Sequence, residues 1–120
     1  MKHKVFVYGT LKRRGSNHRL LEGQVFQATA QTQPVYRMYA LDGFPAMVDA
    51  PQNGLPIDGE IWEVDEEALV ELDKLEGVDE GLYKRVTIPL LPPNDRLKVE
   101  GYIYLLSVAG RRDCGTSWPV

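Results

Sequence analysis

Only one stretch of this 120-residue chain, residues 65–76, is written as a helix. Almost everything else is short apolar runs cut off by glycine and proline. That imbalance excludes a helical bundle and leaves a sheet with one helix laid against it. The helix has its own punctuation. Asp65 stands at the N-cap, Glu66 and Glu67 fill the first turn, and Gly77 follows the last turn. Around it the runs read as strands. Residues 5–8 end at Gly9, and residues 24–33 and 35–41 flank Pro34. Gly43-Phe44-Pro45 is a turn into a strand reaching Val48, and 50–58 is a loop. Residues 59–64 alternate polar and apolar, which predicts a half-buried strand. Residues 83–90 and 98–106, joined by Pro92-Pro93-Asn94-Asp95, predict a hairpin. Residues 18–21 make a short helical turn.

Six or seven strands with one helix predict an α+β fold, a small mixed β-barrel with the helix 65–76 as its main flank. No break in composition divides the chain, so residues 1–120 read as a single domain, with 109–120 an irregular tail.

Composition narrows the function. A net charge of −3 and a pI of about 5.4 give no bulk attraction to nucleic acid or an anionic membrane. No apolar run is long enough to span a bilayer, and Met1 to Val5 leads directly into a strand, leaving no room for a signal peptide. Cys114 is the sole cysteine, which fits a reducing cytoplasm. With His3 and His18 it makes no metal cluster, and no cofactor motif is present. Composition leaves the oligomeric state open.

Glu76 is the residue with chemistry in it. Leu69, Leu72 and Glu76 follow i, i+3, i+7 spacing, so the carboxylate lies on the apolar face, at the negative end of the helix. Both surroundings disfavour its charged form and raise its pKa toward neutrality, where a general acid–base catalyst works. Tyr8-Gly9-Thr10-Leu11 sits where a strand gives way to a loop. Gly9 permits a bend whose N–H groups would suit a carboxylate or a developing oxyanion. Tyr83 and Arg85 share one face of a strand, and the Tyr83 hydroxyl would reach Glu76 or a substrate amine. Phe44 and Pro45 offer a rigid apolar wall. Lys12-Arg13-Arg14 reads as a solvated loop, and neither Cys114 nor Ser16 stands in a nucleophile's setting.

Taken in order, Val5 to Arg13 followed by Asn17-His18, Gly43-Phe44-Pro45-Ala46, Gly59 to Val64, and Leu72 to Gly77 followed by Leu82 to Arg85 resemble the γ-glutamylcyclotransferase-like family. The resemblance is nearest its γ-glutamylamine cyclotransferase branch and runs from about residue 4 to 106. Phe44 stands where the family usually has tyrosine. The resemblance implies a small β-barrel enzyme that needs no cofactor. It cleaves a γ-glutamyl amide by attack of the substrate's own α-amine, releasing 5-oxoproline and a free amine or amino acid. It implies Glu76 as the catalytic carboxylate, Tyr8, Gly9, Thr10 and Leu11 as the seat of the glutamyl group, and Tyr83 as an orienting group. The competing expectation is a non-catalytic module that binds a γ-glutamyl-like carboxylate. An acid beside such a ligand argues against it.

Overall fold

The computed structural model describes residues 2–120. Strand β1 (Lys2–Val7) uses both of its faces. Val5 and Val7 enter one apolar cluster, while Phe6 and the following Tyr8 enter another. It is central in a five-stranded sheet with β2 (Val25–Gln31), β5 (Asp58–Asp65), β6 (Tyr83–Thr87) and β7 (Glu100–Tyr104), in the order β2-β5-β1-β7-β6. All neighbours are antiparallel except β1 and β7. A second sheet, ordered β4-β3-β8, contains β3 (Tyr36–Ala40), β4 (Pro45–Asp49) and β8 (Arg112–Asp113).

Helix α1 (Glu66–Leu75) begins where the sequence places it. The Asp65 side chain accepts from the Ala68 N–H at 2.8 Å. Its Ala68, Leu69 and Leu72 pack with Val5, Val7, Trp62, Val64 and Tyr102 on one side of the large sheet. On the other side Phe6, Met38, Met47, Ile61, Ile88 and Ile103 fill the space between the two sheets. Residues 59–64, expected to be half-buried, are therefore covered on both faces. Even Glu60 is buried, accepting from the Arg13 N–H and Nε and from Trp62 Nε1. Among the described residues no helix is long and apolar enough to cross a membrane.

The α+β class and the single main helix are present, but the barrel is not closed. The outer strands of the large sheet meet at one end, where Thr32 bridges Leu90, Gln33 N–H donates to Pro89 O and Leu91 N–H donates to Gln31 O. Pro34 on one side and Pro92-Pro93 on the other then stop the ladder, since proline donates no hydrogen bond. The tail is tied down more than expected. Arg112 and Asp113 pair with β3, Cys114 N–H donates to Met38 O, and Trp118 packs against the cluster between the sheets.

Candidate active site

Glu76 caps the C-terminal end of α1, its N–H donating to Leu72 O at 3.0 Å. Gly77 follows at φ 64°, the left-handed conformation that ends a helix without steric cost. A 3-10 turn then delivers Leu82 and Tyr83 back beside the helix end. These turns aim the Glu76 side chain into a cavity of about 200 Å³.

The same cavity is lined by Tyr8, Gly9, Thr10, Leu11, Phe44, Pro45, Glu76 and Tyr83, all named from the sequence, but not by Arg85. They arrive from the loop after β1, the turn before β4, the end of α1 and the start of β6. Gly9 is required by packing and not by its bend, since its φ lies outside the left-handed region. A Cβ there would lie 2.6 Å from Pro45 Cγ and 2.8 Å from Cδ. The loop curls back on itself, with Lys12 N–H donating to Gly9 O and Asn17 N–H to Thr10 O. Asn17 Nδ2 also donates to Thr10 Oγ1 at 2.9 Å. The Thr10 and Leu11 N–H groups donate to no other backbone group among the described residues.

Glu76 is the one charged side chain lining this cavity among the described residues. Burial is the larger cause that pushes its carboxyl up to about 7, and repulsion from the Asp73 carboxylate is the second. Tyr8 and Tyr83 are held neutral, first by burial and then by the charge of Glu76. Tyr8 donates to Tyr102 O at 2.7 Å. Tyr83 donates to Pro45 O at 2.8 Å, not to Glu76, and so braces the wall opposite Gly9.

Sequence reasoning missed Asp73, Asn17 and Tyr102. Tyr102 O–H donates to Asp73 Oδ1 at 2.7 Å, and Arg85 Nε lies 3.2 Å from the same oxygen. Arg85 also reaches Glu100 at 3.1 Å, so it serves Asp73 and Glu100 rather than the cavity. The signal for Asp73 was its position one helical turn before Glu76. Tyr102 carried no local signal. Of the basic run, Lys12 donates to Trp118 O at 2.6 Å, while Arg13 pairs with Glu60 and lies over the Phe26 ring. Two of its three cations are thus engaged within the protein.

The profile of the family described as gamma-glutamyl cyclotransferase, AIG2-like, matches residues 5–119. A Vibrio cholerae protein provisionally named as a gamma-glutamylcyclotransferase is 41% identical over 88 residues, 73% of each chain. Gamma-glutamylaminecyclotransferase A of Danio rerio is 40% identical over 93 residues, and the match covers 72% of this chain but 57% of that one. Among solved structures, an AIG2-like protein from Mus musculus superposes with a TM-score of 0.71 at 26% identity, over 91% of this chain and 80% of its own. A protein specific to uropathogenic E. coli shares the fold, with a TM-score of 0.81 at 23% identity over 98% and 92% of the two chains. A carboxylate at a helix end facing a Tyr-Gly-Thr-Leu loop thus sits in a chain that belongs to the gamma-glutamyl cyclotransferase, AIG2-like family.

Proposed function

We propose that the protein opens γ-glutamyl amides by intramolecular cyclisation, releasing 5-oxoproline and a free amine. The observation that carries this reading is Glu76, a carboxyl titrating at about 7 inside a cavity it shares with the loop 8–11. The glutamyl head lies on that loop, with the Thr10 and Leu11 N–H groups facing its negative oxygens. The α-nitrogen attacks the γ-carbonyl carbon, a C–N bond forms, and the amide C–N bond breaks. The attacking nitrogen loses two protons in all and the departing one gains two. Glu76 takes a proton before attack and returns one as the intermediate collapses, which a pKa near the working pH favours in both directions. The nucleophile is tethered to its target, so holding the folded conformer supplies much of the acceleration. The neutral tyrosines and apolar walls keep water from competing for the carbonyl. We place the reaction in a reducing cytoplasm, with small γ-glutamyl compounds as substrates.

Release of 5-oxoproline from γ-glutamyl amides tests the reading. Glu76→Gln is expected to lower kcat by about 100-fold or more, the usual worth of a general acid–base group. A Gln variant as active as the parent removes Glu76 from the mechanism. A parent that binds the amides without turnover leaves the non-catalytic binding module.

A further inference from the structure

Two basic side chains outside the cavity are joined by hydrogen bonds to the loop 8–11. His18 and Arg19 stand side by side in the 3-10 turn His18–Leu21, and neither lines the cavity. His18 Nδ1 lies 2.9 Å from Leu11 O. A carbonyl oxygen only accepts, so Nδ1 carries the proton and donates. The Leu11 carbonyl and the Lys12 N–H are two ends of one peptide group. That N–H donates to Gly9 O at 3.1 Å, and the Gly9 carbonyl shares its peptide group with the Thr10 N–H. A second chain runs beside the first. Arg19 Nη1 donates to Ser16 O at 3.1 Å, whose peptide group carries the Asn17 N–H. The Asn17 N–H donates to Thr10 O at 2.9 Å, and that carbonyl shares its peptide group with the Leu11 N–H. Both chains therefore end on residues that line the cavity.

Resting on the cyclotransferase reading, we infer that His18, assisted by Arg19, is a positioning residue that strengthens the loop's grip on the α-carboxylate of the substrate. A peptide group whose oxygen accepts a hydrogen bond is polarised, and its N–H becomes a better donor. The Thr10 and Leu11 N–H groups each sit at the end of two such steps. The His18 ring is held edge-on to Trp62, with ring centroids 5.2 Å apart, and Leu21 anchors the same turn in the core. His18 is half-buried, whereas Arg19 is exposed and screened by water, so His18 has the larger effect. A polarised donor gains more against a charged acceptor than against a neutral one. The chains thus favour a carboxylate over a carboxamide at the same place.

γ-Glutamyl-butylamide and the same compound with its α-carboxylate converted to a carboxamide test this. His18→Leu removes the donor and is expected to raise KM for the carboxylate compound about fivefold, with kcat little changed. For the carboxamide the rise should stay under about twofold. His18→Asn keeps an N–H at the place of Nδ1 and should bring KM back to within about twofold of the parent. Arg19→Met, at an exposed position, should raise KM for the carboxylate compound by about twofold. The Kd of 5-oxoproline, read by calorimetry, should follow the same order. Equal losses on the two compounds, a loss that asparagine does not repair, or an unchanged KM in His18→Leu overturns the inference and leaves the reaction standing. If His18→Leu fails to fold, His18→Asn and Arg19→Met decide, and a shift of the same size on both compounds in either variant overturns it. If nothing is turned over but 5-oxoproline binds in the expected order, the reaction is wrong and the role of His18 stands. If the parent neither turns over the amide nor binds 5-oxoproline, both fall.

Discussion

At the scale of single residues, the site turns on how one carboxyl is kept close to neutrality. Burial does most of it and Asp73 adds the rest. Asp73 is held in position beside Glu76 by Tyr102 and Arg85. If the ionised form of Glu76 takes the first proton, activity rises with pH through about 7, the value of its carboxyl. Asparagine at position 73 removes a like charge, and removing a like charge lowers an acid's pKa. Asp73→Asn is therefore expected to move the acid limb of the kcat/KM profile to lower pH, as read from initial rates of 5-oxoproline release. A limb that stays in place, or moves up, shows that Asp73 does not tune the carboxyl. The place of Glu76 on an apolar helix face could be read from spacing. Asp73 needed only the same helical wheel, but its partners Arg85 and Tyr102 come from other strands, and no spacing joins them.

At the scale of elements, the cavity exists because the loop after β1 and the turn before β4 touch. Gly9 and Pro45 meet with no room for a side-chain carbon. Gly9→Ala is expected to force the two segments apart, lowering stability by about 1–3 kcal/mol, the range for overpacking a tight contact. It should also raise KM, because the loop carries the proposed anion-binding N–H groups. Denaturant midpoints and steady-state kinetics would record both, and adding Pro45→Ala should recover part of each loss. A Gly9→Ala variant with parental stability and KM removes this contact from the argument. The elements themselves were legible. The helix came from its cap and its glycine, and the strands from apolar runs between breakers. What misled was β5. Its alternating pattern predicts one wet face, yet Glu60 is polar and buried, paired with Arg13 and Trp62. A pattern of polar and apolar letters cannot distinguish a solvated acid from a partnered one.

At the scale of the whole molecule, the tail is fastened to the loop that forms the site. Lys12 is only 8% exposed, and its ammonium donates to Trp118 O at 2.6 Å. The Thr116 carbonyl takes the Asp58 N–H at 2.8 Å. Ending the chain after Gly115 removes both acceptors and leaves Lys12 buried without its carbonyl. Stability is expected to fall by about 1–3 kcal/mol. The fall should be smaller in a Lys12→Met background, where no ammonium is stranded, as denaturant midpoints of the four chains would show. Equal losses in both backgrounds would mean that Lys12 is not the link. Sequence by itself determined the local pieces: a capped helix, strands bounded by glycine and proline, and an acid placed at an apolar helix end. These depend on neighbours a few residues apart, where backbone geometry leaves little choice. Tertiary structure alone decided that the barrel stays open and that residues 12 and 118 join. Those outcomes depend on which distant surfaces find each other as the sheets pack, and short-range periodicity holds no record of that.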